Sequence, residues 1–195
     1  MRKAALRTLY IDRKKELTTV ETAEKSAEIF AQFQQHFSFK PGDTVHCFLS
    51  IAERNEVDTR LFLDYFFERG VRVFVPKVSG ADICSVEIFP DTVFIKSKWN
   101  IPEPESNTDC GLNSYTMILV PLLYADANGN RVGYGKGFYD RFFATLKKNT
   151  PKAGLSFFSP EEPVEDVSEW DVPLDYLVTP TEVLSFAGGT SNFTK

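Results

Sequence analysis

The stretch that decides the fold runs from an apolar strand through a glycine-rich loop into a helix. Thr116–Leu122 (TMILVPL) is strongly apolar and predicts a buried strand. Asn128–Arg141 (NGNRVGYGKGFYDR) follows, with glycines at positions 129, 133, 135 and 137. The pattern then predicts a helix from about Gly137 to Lys148, with its apolar side chains at helical spacing. A strand, a tight loop and a helix in this order are typical of an α/β sheet.

A second unit of the same kind lies upstream. Thr44–Ser50 (TVHCFLS) reads as a buried strand, and a helix from Asp58 or Thr59 to Arg69 leads into a strand at Val71–Val75. Strand, helix and strand within about 30 residues indicate parallel pairing. We therefore predict a single α/β domain with a mostly parallel central sheet and helices on both faces.

The remaining elements are assigned more coarsely. Two helices fill the first 37 residues, the second of them starting at Thr19. The other assignments are a strand pair at 83–89 and 92–96, a loop at 99–104, and short strands at 153–157 and 175–179. We expect a domain over residues 1–186 and a frayed, disordered tail over 187–195, which is small and polar.

Composition excludes several classes of protein. The 195 residues carry 22 basic and 27 acidic side chains, a net charge of −5, which argues against a general polyanion binder. No apolar run approaches the length of a membrane span, and no signal peptide is evident. Three widely separated cysteines show no metal-ligand spacing. We expect a cytoplasmic monomer that binds neither nucleic acid nor membrane.

The glycine-rich loop has the chemistry of a phosphate site. Missing side chains let backbone N–H groups approach an anion, and a helix N-terminus follows. Arg131 and Lys136 add full charges. The loop is not a Walker A motif, because Gly137 follows the lysine where Ser or Thr would stand. The alternative interpretation is a glycine-rich turn with no ligand.

The first helix carries further cations. Lys3 and Arg7 lie four residues apart on one helix face, so both can reach one phosphate chain. The alternative is an ordinary solvated basic face. An acidic protein with basic segments at 1–15 and 130–152 is consistent with the two segments meeting around an anion.

The segment RVGYGKGFYDR resembles the signature of the 5-formyltetrahydrofolate cyclo-ligases, also called 5,10-methenyltetrahydrofolate synthetases. Other stretches agree with this family in order and spacing, and the resemblance covers about residues 3–184. They are Lys3-x-x-Leu6-Arg7, Phe48-Leu49-Ser50 with Glu56-Val57-Asp58-Thr59, Ser97-Lys98-Trp99-Asn100-Ile101-Pro102-Glu103-Pro104, and Trp170-Asp171-Val172-Pro173-Leu174-Asp175.

The resemblance implies a reaction and a set of roles. The family converts 5-formyltetrahydrofolate and MgATP into 5,10-methenyltetrahydrofolate, ADP and phosphate, by phosphorylation of the formyl oxygen and attack by N10. By resemblance, ATP is bound by Lys3, Arg7, Arg131, Gly133, Tyr134, Gly135, Lys136, Gly137, Phe138 and Tyr139, of which Arg131, Lys136 and Tyr139 are catalytic. The folate is bound by Leu49, Ser50, Glu56 and Trp99, and Mg²⁺ by Asp140 and Asp171.

Simpler roles remain open for several of these residues. Asp140 is also placed as a first-turn acid that complements the helix dipole. Tyr139 could pack in the aromatic core, Glu56 could be an exposed loop acid, and Trp99 could cover the core. Asp126 is a weaker Mg²⁺ candidate or a turn residue.

Two other function classes also remain open at this point. A sugar-phosphate isomerase or lactonase on a similar sheet would use the basic loop for phosphate, although no histidine base stands beside the loop. A non-catalytic nucleotide- or RNA-binding module is the other alternative.

Overall fold

A computed structural model describes residues 1–97 and 102–186. A seven-stranded sheet with strand order β11-β10-β9-β6-β1-β2-β3 forms its centre. The strands are β1 (Thr44–Cys47), β2 (Arg72–Ser79), β3 (Asp82–Ile88), β6 (Met117–Pro121), β9 (Lys152–Leu155), β10 (Tyr176–Val178) and β11 (Val183–Ser185). The five inner strands are parallel, and the two edge strands β3 and β11 are antiparallel to their neighbours. The predicted mostly parallel sheet is therefore confirmed.

Helices cover both faces of the sheet, as predicted. On one face, α2 (Thr19–His36) and α3 (Arg60–Glu68) bury phenylalanines such as Phe33 and Phe66 against alternate residues of the inner strands. On the other face, α4 (Phe138–Ala144) buries Phe142 against a second cluster that includes Ile118. The alternation of side chains along each strand supplies both faces with apolar contacts.

The helix α1 (Lys3–Glu16) packs elsewhere, against the hairpin of β7 (Tyr124–Ala125) and β8 (Arg131–Val132). Tyr10 of α1 stacks on Tyr124, with ring centroids 4.3 Å apart. The hairpin follows the carboxyl end of β6, so α1 lies beside the carboxyl ends of the parallel strands. Ligands of α/β proteins commonly bind at that end of the sheet.

Local signals explain where α2 begins. The Thr18 hydroxyl accepts a hydrogen bond from the Glu21 N–H at 3.2 Å, and the Glu21 carboxylate accepts one from the Thr18 N–H at 2.8 Å. This capping box pairs two backbone donors that would otherwise lack partners. The predicted start of the helix at Thr19 is confirmed.

Three predicted details were wrong. The stretches 83–89 and 92–96 do not pair with each other, because Gly80 at φ +63° forms a tight turn that folds β3 back onto β2. β4 (Phe94–Lys96) pairs instead with β5 (Pro102–Pro104), which lies within the stretch 99–104 that was predicted to be a loop. A two-stranded ribbon tolerates the prolines because it needs few backbone N–H donors. The helix predicted to reach Lys148 ends at Ala144. The predicted tail at 187–195 lies outside the described residues.

His46 sits in the core without a polar partner. Both ring nitrogens are buried and form no hydrogen bond within the described part of the chain, and the ring packs 4.6 Å from Phe142. Burial lowers the pKa of His46 to about 3, against 6.5 for the free side chain. The folded protein therefore keeps this histidine neutral at pH values where the unfolded chain protonates it.

This predicts a specific acid sensitivity. The stability associated with neutral His46 is complete above pH 6.5 and is lost as the pH falls from 6.5 toward 3. Between pH 7 and 5 we expect a loss of about 2 kcal/mol of unfolding free energy from this group. Urea denaturation should show that His46→Phe flattens the pH dependence, whereas His36→Gln at the exposed histidine should not. Equal slopes for wild type and His46→Phe would contradict the assignment.

Candidate active site

The loop between β7 and β8 is shaped by the side chain of Asp126. Its carboxylate accepts hydrogen bonds from the N–H groups of Asn128 and Asn130 at 2.9 Å, from the Asn130 amide at 2.9 Å, and from the Val164 N–H at 3.0 Å. Asp126 is also buried. Both oxygens are thus engaged in forming the turn, and this favours the turn role over the metal role.

The glycines place the loop directly over α1. Gly135 has a φ of +87°, and a Cβ added there would lie 3.2 Å from Nε of Arg7. Gly137 has a φ of +66° at the residue before α4. Side chains are disfavoured in this left-handed region, so glycine is required for the loop to turn into the helix while touching the arginine.

Two cations at the loop are free to bind a ligand. Nε of Arg7 donates to the Gly133 carbonyl at 2.9 Å, and its two terminal nitrogens have no acceptor among the described residues. The ammonium of Lys136 is exposed and pairs with no carboxylate in the described ranges. The predicted meeting of α1 with the glycine-rich loop is therefore present in the structure.

Arg131 and Asp140 form a partly buried ion pair. A terminal nitrogen of Arg131 donates to Oδ1 of Asp140 at 2.5 Å, and the other donates to the Val172 carbonyl. The guanidinium also lies 4.9 Å from the ring centre of Phe143. Burial lowers the pKa of Arg131 and the Asp140 carboxylate opposes this effect, so the group stays charged. The pair fixes the start of α4 against the segment that contains Asp171.

Asp171 is held in turn by α1. Its Oδ2 accepts from the Lys3 ammonium and from the Ser168 N–H, the latter at 2.6 Å. Asp171 also acts electrostatically on Arg131, so both predicted metal ligands lie around the same arginine. In the residues that the structure describes, no group of three or more His, Cys, Asp or Glu side chains is arranged so that it could hold a metal ion.

The two carboxylates nevertheless suit Mg²⁺. Oδ2 of Asp140 and Oδ1 of Asp171 receive no hydrogen bond from the described chain, while their sister oxygens are paired. Each carboxylate is therefore oriented with one oxygen left over. Mg²⁺ is commonly bound by one or two carboxylates together with substrate phosphates and water, which this donor set matches.

Tyr139 presents a buried hydroxyl with no partner. Its ring packs against Phe143, with ring centroids 5.7 Å apart, as expected if Tyr139 belongs to the aromatic core. Its hydroxyl has no hydrogen-bond partner among the described residues, and its charged or titratable neighbours are Cys47, Glu56 and Arg131. Burial raises the pKa of Tyr139 well above its usual range, so the hydroxyl stays protonated and can donate to a ligand.

Glu56 is buried, which is inconsistent with an exposed loop acid. The residue is 7% exposed, and its Oε2 accepts from the Ile51 N–H at 2.9 Å. Burial raises the pKa of Glu56, whereas the nearby Lys14 lowers it. Leu49 and Ser50 follow the carboxyl end of β1, and the Ser50 N–H donates to the Thr59 hydroxyl at 3.2 Å. Trp99 lies outside the described residues.

The remaining loop residues line the same region. The ring of Tyr134 lies 4.9 Å below the Arg54 guanidinium, and its hydroxyl neighbours Glu56. Phe138 lies 5.4 Å from the guanidinium of Arg141, which also donates to the Lys136 carbonyl at 3.2 Å. The loop thus spans from the cations of Arg7 and Lys136 to the buried Glu56 carboxylate.

Sequence reasoning missed one member of this group, Lys14. It is 5% exposed, and its ammonium donates to the Leu122 carbonyl at 3.2 Å. A signal was present, because positions 3, 7 and 14 share one face of an α-helix. Lys14 stood among six basic residues in the first 15, and the sequence does not show which of these turn inward.

Comparison with known proteins was consistent with this geometry. The family described as "5-formyltetrahydrofolate cyclo-ligase family" matches residues 1–180. The 5-formyltetrahydrofolate cyclo-ligase of Mycoplasma pneumoniae is 30% identical over 184 residues, covering 91% of this chain and 98% of that protein. The enzyme of the same name from Escherichia coli strain K12 is 26% identical over 177 residues, covering 88% and 96%.

A solved structure extends the likeness to the fold. The NMR structure of Aquifex aeolicus 5,10-methenyltetrahydrofolate synthetase superposes with a TM-score of 0.80 at 27% identity, covering 97% of this chain and 95% of that one. With a family match over residues 1–180 and a relative 30% identical across nearly its whole length, the chain belongs to the 5-formyltetrahydrofolate cyclo-ligase family.

Proposed function

We propose that the protein closes 5-formyltetrahydrofolate to 5,10-methenyltetrahydrofolate, with hydrolysis of ATP to ADP and phosphate. One observation carries the proposal most directly. Among the described residues, the terminal nitrogens of Arg7, the Lys136 ammonium and the Tyr139 hydroxyl have no partner, and all three groups belong to one loop and its flanking helices. Such a site can bind a phosphate chain and a polar substrate atom side by side.

The phosphate chain of ATP would lie along the glycine-rich loop. Arg7 offers a planar fork of two free nitrogens, and Lys136 offers a compact ammonium at the exposed tip. Gly133 leaves open space against the backbone, and at Gly135 the missing side chain lets the Arg7 guanidinium lie against the loop. Arg131, held by Asp140, supplies a fixed positive charge beneath the loop. Lys3 reaches the same region through its pair with Asp171.

Mg²⁺ would be held by Asp140 and Asp171 through the carboxylate oxygens that receive no hydrogen bond from the described residues. When bound, it supplies positive charge that neutralises the phosphates during transfer. The pairs with Arg131 and Lys3 keep both aspartates in position beforehand.

The reduced pterin would bind beyond the loop, where Glu56 accepts hydrogen bonds from its amino and ring N–H groups. Leu49 and Ser50 border this position at the end of β1. Trp99 is proposed, by the family resemblance alone, to stack on the folate.

The proposed chemistry is the one that the family resemblance implies. The formyl oxygen attacks the γ-phosphorus and ADP leaves, which turns a poor leaving group into a phosphate ester on an iminium carbon. N10 then attacks that carbon, the ring closes, and phosphate departs with the former formyl oxygen. The protonated hydroxyl of Tyr139 is suited to donate a hydrogen bond to the formyl or phosphoryl oxygen, and Lys136 to stabilise the charge that moves.

The cellular setting is proposed from simpler features. Cys47, Cys84 and Cys110 are all free thiols, as is usual in a reducing compartment. No helix in the described ranges is long and apolar enough to cross a membrane. We propose a cytoplasmic monomer acting on small molecules, with residues 1–186 as its catalytic domain.

The function can be tested with purified protein. Methenyl product is followed by absorbance while ADP is measured by a coupled enzyme, with each substrate omitted in turn. We expect ADP and methenyl product in equal amounts, and neither without both substrates. ADP release that does not depend on 5-formyltetrahydrofolate would favour a general nucleotide-binding or nucleotide-hydrolysing protein. No turnover, with activity on a sugar phosphate, would favour the isomerase or lactonase alternative.

A further inference from the structure

The tip of the glycine-rich loop has little backbone structure of its own. Residues 133–136 form no backbone–backbone hydrogen bond within the part of the chain that the structure describes. Lys136 is flanked by Gly135 at a φ of +87° and Gly137 at a φ of +66°. Glycine has more conformational freedom than any other residue, so the local backbone does little to fix the position of Lys136. Contacts from outside the loop have to do so.

Two arginine side chains supply these contacts. Nε of Arg7 donates to the Gly133 carbonyl at 2.9 Å, and a terminal nitrogen of Arg141 donates to the Lys136 carbonyl at 3.2 Å. In the described structure, these are the hydrogen bonds that the main chain of residues 133–136 receives. Arg7 is already placed at the phosphate chain, whereas the proposed chemistry gives Arg141 no role.

The Arg141 guanidinium joins the loop to the central sheet. Its Nε donates to Oδ1 of Asp82 at 3.0 Å, and its second terminal nitrogen donates to the Ala81 carbonyl. Both acceptors lie at the turn between β2 and β3, two strands that pair along seven positions. One side chain thus connects a glycine-rich loop to a rigid hairpin of the sheet.

The guanidinium also fits closely against the start of α4. A Cβ added to Gly137 would lie 3.0 Å from a terminal nitrogen of Arg141, and the ring centre of Phe138 lies 5.4 Å from the guanidinium carbon. A guanidinium is planar and directs five donors along fixed directions, so it can hold acceptors from two elements at once. A lysine ammonium lacks this fixed geometry.

We propose that Arg141 is a positioning residue for Lys136: by holding the Lys136 carbonyl against the β2–β3 turn, it fixes the place from which the ammonium meets the transferred phosphoryl group. A charge fixed beforehand needs no reorganisation when the reaction occurs. The inference rests on the proposed function, which gives Lys136 its role. Arg141 itself does not touch substrate in this account.

The first test is Arg141→Met, which removes all three hydrogen bonds. We expect single-turnover formation of the methenyl product to slow by about ten-fold, with KM for 5-formyltetrahydrofolate close to the wild-type value. The loss is smaller than for Lys136→Ala because the ammonium is displaced and not absent. A wild-type rate for Arg141→Met would overturn the proposal.

Arg72→Met is the matched control. Arg72 lies at the far end of the same hairpin, where it pairs with Glu87 at 2.8 Å. Its side chain is 51% exposed, against 45% for Arg141. The control loses an ion pair of the same kind without touching the loop, so its rate should equal that of wild type.

Two further variants separate positioning from a simple charge effect. Arg141→Lys keeps the charge, but one ammonium cannot hold the same acceptors, so its rate should stay near that of Arg141→Met. In a Lys136→Ala background, Arg141→Met should slow the reaction little further, because the ammonium that it positions is absent. A wild-type rate for Arg141→Lys, or losses that multiply in the double variant, would overturn the proposal.

One measurement does not depend on activity. In ¹⁵N-labelled protein without ligands, the backbone amides of Gly135 and Lys136 should have order parameters near the value of about 0.85 that is typical of rigid backbone. Arg141→Met should lower them toward about 0.6, whereas Arg72→Met should not. Low values in wild type, or unchanged values in Arg141→Met, would overturn the proposal. Wild-type protein without cyclisation activity would instead refute the proposed function, while these order parameters still report whether Arg141 holds the loop.

Discussion

Replacement of Lys136 by alanine is expected to lower the rate of methenyl formation by about 10²–10³-fold, with little change in melting temperature. The side chain is exposed at the tip of the glycine-rich loop and has no salt bridge in the described structure. Its removal should therefore create no cavity and leave no charged group without its partner. Its charge is instead placed to meet the negative charge that develops during phosphoryl transfer.

Single-turnover formation of the methenyl product measures this effect without interference from product release. Lys148→Ala provides the control, since Lys148 is another exposed lysine just beyond α4. Lys136→Arg should restore only part of the rate, because a planar guanidinium does not reproduce a compact ammonium between two glycines. A normal rate for Lys136→Ala would make the loop structural and leave the phosphates to Lys3, Arg7 and Arg131.

Replacement of Asp140 by asparagine is expected to raise the Mg²⁺ concentration for half-maximal activity by about 10–100-fold. Asparagine keeps an oxygen that can accept from Arg131 and from the Val172 N–H, so the local geometry is largely preserved. The lost charge weakens both the metal site and the ion pair with Arg131. We therefore expect a drop of a few degrees in melting temperature besides the change in metal requirement.

Activity as a function of Mg²⁺ at fixed ATP distinguishes the two effects. Asp175→Asn is the matched control, because Asp175 is also a partly buried aspartate in an ion pair, with Lys152 at 3.1 Å. The control should lose stability while its metal requirement stays at the wild-type value. If Asp140→Asn also titrates like wild type, Asp140 is no metal ligand and serves only to hold Arg131.

The parallel part of the fold was predictable from the sequence because local patterns specify its strands and helices. The unit β1–α3–β2 was readable from a strand, a helix that ends before Gly70, and a second strand. The pairing of β4 with β5 was not readable, since Pro102 and Pro104 argue against a strand and only a tertiary partner makes one. The β7–β8 hairpin, which starts before the glycine-rich segment and ends within it, was hidden because its two-residue strands are too short to show an alternating pattern.

The site was predictable where its residues are concentrated in one motif. Arg131, Lys136 and Asp140 stand within ten consecutive positions. Glycines with positive charge point to Arg131 and Lys136, whereas Asp140 was named by the family resemblance. Lys14 and the burial of Glu56 were not predictable, because they depend on where α1 docks against the loop before α3. A helix with many cations does not reveal which one faces inward until its partner is known.

The claim that this chain drives ring closure by phosphorylating the formyl oxygen can be tested by following that atom. 5-Formyltetrahydrofolate labelled with ¹⁸O in the formyl group is converted with unlabelled ATP, and the released phosphate is analysed by mass spectrometry. The account predicts one ¹⁸O in each phosphate for each methenyl product formed. Unlabelled phosphate together with labelled water would contradict it.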